Sequence, residues 1–217
     1  MSARGVHVVT GRIPPPDPGF DAEDAAELLG TDAAALGSLD GSRLASYLTA
    51  RRWVRDIVTV RLRRPWRGFE STPRGTKPRL AASPLDVSIA HAGDLLVVGV
   101  AEHGRIGADA EPVAPVFDQP ALARRLCTHV ERRRAASLPP ADRRAWLTQL
   151  WTVKESYAKA VGAGLALDFR QLGAAELRHS DTVRGVLTPA SGRTHAKIAV
   201  SWVDAAPSSS PSPVRAI

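Results

Sequence analysis

Three strand-like segments joined by two short turns lie in the middle of the chain, and they limit its fold more than any other feature. The segments are Val87–Ala90, Leu95–Glu102 and Arg105–Glu111, and the turns between them are Gly93-Asp94 and His103-Gly104. Short glycine-containing turns between apolar runs are typical of antiparallel hairpins. The sequence therefore predicts a mostly antiparallel sheet in this region.

Helical and further strand patterns flank these segments. Helices are expected at 21–29, from 42 to about 64 where Arg64-Pro65 must end it, in a stretch that ends at 126, and at 142–161 with Asp142 as N-cap. Additional strands are expected at 5–9, 174–178, 184–187 and 194–203, with a Ser191-Gly192 turn before the last. The predicted class is α+β, with helices packed on short, mostly antiparallel strands.

The length and the apolar runs exclude several classes of protein. A chain of 217 residues corresponds to one or two domains. The longest apolar run, Leu95–Ala101, is far shorter than the roughly 20 residues of a membrane span. Cys127 is the only cysteine, which excludes an intrachain disulfide and a cysteine metal cluster, and the N-terminal residues lack a secretory pattern. We expect a cytoplasmic protein with no membrane partner.

The basic excess of the chain is concentrated in one segment. The net charge is +7, yet residues 41–80 hold eleven lysines and arginines against only two acidic residues. The remaining residues carry slightly more acids than bases. Such a local field suggests an anionic ligand with several phosphates, although a helix with a solvated arginine face accounts for it equally well.

Two pairs of charged residues could carry chemistry. Asp109 and Glu111 lie two apart in a predicted strand and therefore point to the same face. Two such carboxylates suit a hard cation such as Mg²⁺, or they simply form a polar strand end before Pro112. Glu155 and Lys159 lie four apart on a predicted helix and share a face, where a surface salt bridge is the alternative interpretation.

Four short motifs, taken in this order, give the chain a resemblance to a known family. They read GTKP (75–78, with one inserted residue), SIAHAG (88–93), GADAE (107–111) and WTVKESYAKAVGAGL (151–165). Together they resemble the Sfp-type 4'-phosphopantetheinyl transferases of the holo-acyl-carrier-protein synthase superfamily. The chain departs from the family pattern at Ala108 and Ala110, and also at Ser88, Ala90 and Ala92 around His91.

The resemblance implies an activity and an architecture. The activity is transfer of the phosphopantetheine arm of coenzyme A to a serine of an acyl or peptidyl carrier protein, with 3',5'-ADP as the second product. The architecture is a pseudo-dimer of two similar α+β halves with coenzyme A in the cleft between them. We expect a basic, coenzyme A-binding half at 1–103, a metal-binding half at 104–204 and a disordered tail at 205–217.

The resemblance also implies roles for individual residues. Mg²⁺ would be held by Asp109, Glu111 and Glu155. The catalytic residues would be Glu155 as candidate base, Lys159 on the pyrophosphate and Glu131 in an assisting role. Coenzyme A would be contacted by Arg51 or, in an alternative register, Arg52, and by Lys77, His91, Lys154 and Lys159.

The expected partners are coenzyme A and a carrier protein, and the protein is expected to be a monomer. The carrier could dock on the arginine run 132–134 or on the loop 113–119, although a solvated helix face is the simpler interpretation of the arginines. Two alternatives remain. The protein could bind nucleic acid or another polyanion through its arginine-rich 43–79 segment, or it could bind coenzyme A without transferring.

Overall fold

The computed structural model describes residues 2–3, 5–15, 22–39, 41–73, 75–173, 177, 182–187 and 196–203. The strands are β1 Ser2–Ala3, β2 Val6–Arg12, β3 Phe69–Glu70, β4 Arg79–Leu80, β5 Asp86–Ala92, β6 Leu95–Ala101, β7 Arg105–Pro112, β8 Thr182–Leu187 and β9 Ala196–Val203. The α-helices are α1 Ala22–Leu29, α2 Gly41–Asp56, α3 Pro120–Leu126, α4 His129–Ser137 and α5 Pro140–Val161. None of the described helices is long and apolar enough to cross a membrane.

The strands form two antiparallel sheets stacked between two long helices. The larger sheet has the order β1-β2-β6-β5-β4-β3 and the smaller one β7-β9-β8. Residues of α2 pack on one face of the larger sheet, whose other face shares a core with β7 and β9 of the smaller sheet. The outer face of the smaller sheet carries α5. The α+β class with antiparallel strands, predicted from the sequence, is confirmed.

The strand β6 lies at the centre of this arrangement, because both of its faces are covered. All seven of its residues are buried. Leu96, Val98 and Val100 contact the α2 side, whereas Leu95 and Val97 face the smaller sheet. A strand buried on both faces has a continuous apolar sequence rather than an alternating one, which explains the run LLVVGVA.

Small residues from two strands meet where the sheets stack. Ala90 and Ala92 of β5 belong to the same core cluster as Ala108 and Ala110 of β7, and all four side chains are buried. These are also the positions at which the chain departs from the family pattern. Small side chains therefore occupy both strands where the two sheets stack.

Two side chains of β5 join the larger sheet to β7. The Asp86 Oδ2 atom accepts a hydrogen bond from the Ile106 backbone N–H at 2.7 Å, and Ser88 Oγ accepts one from Ala108 N–H at 2.9 Å. These N–H groups lie on the strand edge that is not paired with β9. The side chains thus satisfy buried backbone donors that no neighbouring strand reaches.

The order of the elements recurs along the chain. In the first half β2 pairs with β6 and β6 with β5, while α2 lies between β2 and β5 in sequence. In the second half β7 pairs with β9 and β9 with β8, while α5 lies between β7 and β8. Two halves of the same strand order were expected from the resemblance, and the boundary at residues 103–104 remains a prediction.

Several boundaries differ from the sequence prediction for identifiable reasons. The last helix begins at Pro140 instead of Asp142, because proline suits the first position of a helix. The second helix changes to a π-helical turn at Ile57–Arg61 before Arg64-Pro65. The short strands β3 and β4 lie in a segment that was predicted to be irregular. The Ser191-Gly192 turn, the tail 205–217 and most of the strand expected at 174–178 lie outside the described residues.

Candidate active site

The strand β7 and the helix α5 are unusually close, and Gly107 permits this contact. A Cβ atom at this position would lie 1.9 Å from the Ser156 carbonyl oxygen and 2.4 Å from the Ala160 nitrogen. Residues 107, 109 and 111 share one face of the strand. The close approach therefore brings the side chains of Asp109 and Glu111 against the face of α5 that carries Glu155.

Asp109 forms the centre of this cluster. Its Oδ1 atom accepts a hydrogen bond from Lys159 Nζ at 2.6 Å, and the Asp109 side chain is only 5% exposed. The Lys159 side chain is one-third exposed. The other carboxylate oxygen of Asp109, Oδ2, is buried and has no hydrogen-bond partner, and the same is true of Glu155 Oε2.

The pKa of each of the three carboxylates is raised. Burial is the largest cause for Asp109 and for Glu155, with Lys159 acting in the opposite direction on both. Burial also raises the pKa of Glu111, and the charges of Asp109 and Glu155 add to the effect. Three acidic groups that destabilise one another's charged forms create a strong preference for a cation between them.

The cluster fits a divalent cation in part. Two buried carboxylate oxygens without partners are the kind of donors that Mg²⁺ prefers, and Mg²⁺ usually takes only a few protein ligands together with water and phosphate. Within the described residues, however, no three His, Cys, Asp or Glu side chains converge closely enough to form a metal-binding group. Asp109 and Glu155 thus supply free oxygens, while Glu111 does not complete a three-ligand set in this conformation.

Lys154 has a different role from the one expected for it. Its side chain is fully buried, and its Nζ donates to Leu126 O at 2.7 Å, Glu131 Oε2 at 2.6 Å and Phe169 O at 2.9 Å. An ammonium group has three donors, and all three are used. The assignment of Lys154 to coenzyme A binding is therefore not supported by this geometry, because no N–H is left for a ligand.

Glu131 belongs to the same buried structure. It is the N3 residue of a capping box with Thr128 at the start of α4, and its Oε2 accepts both the Thr128 N–H and the Lys154 ammonium. These contacts give Glu131 a structural function. The assisting catalytic role expected from the resemblance finds no support in them.

Arg51 and His91, two of the residues expected to bind coenzyme A, line one cleft of about 810 Å³ between α2 and the larger sheet. Arg43, Ser42 and Thr76 also contribute to its walls. Arg52 does not line it, so the structure favours Arg51 over the alternative register. The cleft combines cationic side chains with hydroxyl donors, a combination that suits phosphate groups.

Three residues that sequence analysis did not single out hold Arg51 in place. Asp32 Oδ2 accepts hydrogen bonds from Arg51 Nη2 at 3.0 Å and from Nε at 3.3 Å, and it also accepts one from the Tyr47 hydroxyl. The guanidinium lies 3.5 Å from the Tyr47 ring centroid and 5.3 Å from that of Phe69. Burial and the bond to Asp32 raise the pKa of Tyr47.

Lys77 is directed away from this cleft. Its ammonium pairs with Asp86 at the start of β5, and both residues line a second cleft of about 800 Å³. Burial lowers the pKa of Lys77, and Asp86 opposes the shift. Its neighbours Thr76 and Pro78 line both clefts, so only the chain around Lys77 reaches the Arg51 cleft.

The predicted site residues therefore form two groups rather than one. The strands β5 and β7 run in the same direction, because Asp86 contacts Ile106 and Ser88 contacts Ala108. Their C-terminal ends, which carry His91 and Glu111, therefore lie at the same end of the molecule. Their side chains belong to opposite outer faces of the stacked sheets, since His91 lines the α2 cleft and Glu111 faces α5. Among the described residues, the walls of the Arg51 cleft include none of the three carboxylates.

Three of the eleven basic residues in the segment 41–80 pair with acids from elsewhere in the sequence. Arg51 pairs with Asp32, Lys77 with Asp86, and Arg64 with Glu102 at 3.0 Å. All three acids lie outside residues 41–80. The excess positive charge of the segment is thus smaller in the folded protein than in the sequence, which weakens the case for a general polyanion-binding surface.

Comparison with known proteins agrees with the motif analysis. Residues 105–205 match the model of the 4'-phosphopantetheinyl transferase superfamily. The chain is 34% identical over 102 residues to the 4'-phosphopantetheinyl transferase HetI of Nostoc sp., an alignment that covers 45% of this chain and 43% of HetI. It is 32% identical over 108 residues to slr0495 of Synechocystis sp., which carries the same name provisionally (48% and 43% coverage). AcpT of Salmonella typhimurium, also named a 4'-phosphopantetheinyl transferase, is 25% identical over 131 residues (60% and 66%).

The matches concentrate on the second half of the chain. The family model covers β7, α5, β8 and β9, and thus the whole carboxylate cluster. The chain spans somewhat less than half the length of the first two relatives. The C-terminal half of this chain is thus similar in sequence to the 4'-phosphopantetheinyl transferase superfamily.

Proposed function

We propose that this protein is a 4'-phosphopantetheinyl transferase, which transfers the 4'-phosphopantetheine arm of coenzyme A to a serine of an acyl or peptidyl carrier protein. The serine oxygen would bond to the phosphorus that carries the pantetheine, and the phosphoanhydride bond to the adenosine bisphosphate would break. The products are a holo carrier protein and 3',5'-ADP. The observation that supports this most is the cluster of Asp109, Glu155 and Lys159, which lies inside the segment that matches the family.

Glu155 is the candidate base in this proposal. The serine hydroxyl must lose its proton as the new bond forms, and a positioned carboxylate can accept that proton directly or through water. Glu155 Oε2 is buried with no hydrogen-bond partner, and burial raises its pKa. Both features favour proton acceptance over a static salt bridge.

Lys159 would stabilise negative charge on the leaving phosphate. Transfer of a phosphoryl-type group depends mainly on positioning and on neutralisation of charge that develops in the transition state. The Lys159 side chain is one-third exposed, so its ammonium can contact both Asp109 and a ligand. Asp109, Glu155 and Glu111 are the residues that would hold Mg²⁺, which neutralises pyrophosphate charge when bound.

The Arg51 cleft is the proposed site for the nucleotide phosphates. Arg51, Arg43 and His91 supply cationic or potentially cationic groups there, and Lys77 contributes through its neighbouring backbone. We further propose that the enzyme acts as a monomer in the cytoplasm, with the carrier protein as its macromolecular partner and without nucleic acid.

The test is mass spectrometry of an apo carrier protein incubated with this protein, coenzyme A and Mg²⁺. We expect a mass gain of one phosphopantetheine group on the carrier serine. The gain should be lost with Glu155→Gln and with EDTA. It should persist with Glu27→Gln, the same substitution at an exposed position of α1, outside the cluster.

The remaining outcomes separate the alternatives. Tight coenzyme A binding without transfer to any acyl or peptidyl carrier would indicate a protein that binds the coenzyme but has lost catalysis. Neither binding nor transfer would overturn the proposed function. Binding of single-stranded nucleic acid would then become the next hypothesis to measure.

A further inference from the structure

Arg51 is held on one edge of its guanidinium group and lies beside two aromatic rings. The Nε and Nη2 atoms donate to Asp32, and the guanidinium carbon lies 3.5 Å from the Tyr47 ring centroid and 5.3 Å from that of Phe69. Arginine has five N–H donors in a rigid fork, so the Nη1 end is the part that these contacts leave for another acceptor. The whole group lines the cleft that also contains His91.

The partner carboxylate is itself firmly positioned. Asp32 is buried, with a side chain only 9% exposed, and the Tyr47 hydroxyl donates to the same oxygen that receives Arg51. Its segment is attached to β3, because Thr31 Oγ1 donates to Phe69 O at 3.2 Å and accepts from Ser71 N at 2.9 Å. Gly30 and Phe69 also form a backbone bridge.

We propose that Asp32 is a positioning residue that fixes the Arg51 guanidinium so that its free end meets a phosphate group of the nucleotide in this cleft. This inference rests on the proposed function, because it takes coenzyme A as the ligand. Asp32 does not touch the ligand; it acts through Arg51. A preorganised guanidinium loses little conformational entropy when a phosphate binds, which raises the affinity without adding a contact.

The opposite interpretation can be distinguished by the sign of the effect. If Asp32 merely competed with phosphate for Arg51, its removal would free the guanidinium and tighten ligand binding. If Asp32 positions Arg51, removing the charge of Asp32 weakens the two hydrogen bonds between them. The guanidinium then becomes more mobile, and coenzyme A binds less tightly. We expect Asp32→Asn to weaken coenzyme A binding about tenfold, which corresponds to about 1.4 kcal/mol.

The experiment is a double-mutant cycle measured by calorimetric titration of coenzyme A. Asp32→Asn should weaken binding about tenfold in the protein with Arg51, and by less than about twofold in an Arg51→Ala background. A merely structural role for Asp32 would weaken binding equally in both backgrounds. The matched control is Asp168→Asn, which removes a carboxylate that receives two donors from Arg170 at a solvent-exposed position.

Each result decides the question. Equal losses in both backgrounds, or tighter binding by Asp32→Asn, would overturn the positioning role while leaving the proposed function intact. Absence of coenzyme A binding by the unsubstituted protein would overturn the proposed function, and this inference with it. Near-ultraviolet circular dichroism and thermal unfolding of each variant identify any that fail to fold, and Tyr47→Phe then serves as a milder second variant that removes one donor to Asp32.

Discussion

The two halves of the molecule each pair a buried aspartate with a cation on their long helix, yet the two pairs differ in how their oxygens are satisfied. In the N-terminal half, Asp32 receives Arg51 and Tyr47 and has no oxygen among the buried, unpartnered side-chain atoms of the described residues. In the C-terminal half, Asp109 receives Lys159 on one oxygen, while the other is buried and unpartnered.

This difference distinguishes a structural ion pair from an incomplete site. A buried carboxylate oxygen without a partner costs free energy, and native proteins retain such groups mainly where a ligand completes them. The same strand order thus supports a preformed arginine in one half and an open carboxylate cluster in the other. The second half is also the part that matches the family.

The largest expected effect is the loss of stability when Lys154 is replaced. It tests whether Lys154 is a structural residue in the interior of the second half or part of a ligand site. Lys154→Met removes the ammonium and leaves Glu131 buried without its charged partner, which should lower the free energy of unfolding by about 3–5 kcal/mol. Urea denaturation measures this change. Arg170→Met, which breaks the exposed pair with Asp168, is the control and should cost much less. Equal losses would contradict the distinction.

The next effect concerns the contact between β7 and α5. Gly107→Ala places a Cβ atom against backbone of the helix, and overpacking of this kind costs about 3 kcal/mol because backbone cannot rotate away. The same substitution at Gly37, where a Cβ would meet nothing within 4 Å, should change the stability little. A stable, fully active Gly107→Ala protein would show that the close contact is not required.

A third prediction compares the two aspartates directly. Asp32→Asn removes the negative charge that accepts hydrogen bonds from the Arg51 guanidinium and the Tyr47 hydroxyl, and it should lower the free energy of unfolding by about 2 kcal/mol. Asp109→Asn should lower it by less than about 1 kcal/mol, because one oxygen of Asp109 already has no partner. Thermal unfolding of both variants in EDTA makes the comparison free of metal ions. An equal or larger loss at Asp109 would mean that its pair is as structural as that of Asp32.

The smallest effect is the stabilisation by Mg²⁺. At a concentration ten times its dissociation constant, a ligand that binds only the folded state stabilises it by about 1.4 kcal/mol. We expect Mg²⁺ to raise the melting temperature of the unsubstituted protein and of Arg51→Ala, and to have no such effect on Asp109→Asn or Glu155→Gln. If Mg²⁺ still raises the melting temperature of the carboxylate variants, this cluster is not the Mg²⁺ site.

Local patterns predicted most of the fold, because hairpins and amphipathic helices leave periodic signals. The helix α4 was expected only as a helix face at the arginine run 132–134, without bounds, although Thr128 and Glu131 have the spacing of a capping box and could have marked its start. Lys154 was assigned to the ligand, although it lies on the buried helical stripe of Leu147, Leu150 and Ala158.

Other features had no local signal. Asp32 reaches Arg51 across nineteen residues of sequence, and nothing in its own segment indicates a buried acid. The separation of Lys77 from His91 also depends on tertiary structure, since Asp86 draws the Lys77 ammonium to the start of β5. Motif order supplied the candidate site residues, but only the packing of the sheets divides these candidates between two faces.

The side chains that join β5 to β7 have a further consequence for how this protein behaves at high concentration. An exposed strand edge with free N–H groups is a template on which another chain can add a strand and begin to aggregate. Asp86 and Ser88 occupy the N–H groups of Ile106 and Ala108 on that edge, and the outer strands of the larger sheet, β1 and β3, are only two residues long. The protein thereby protects these edges from association between molecules while it keeps its two sheets together.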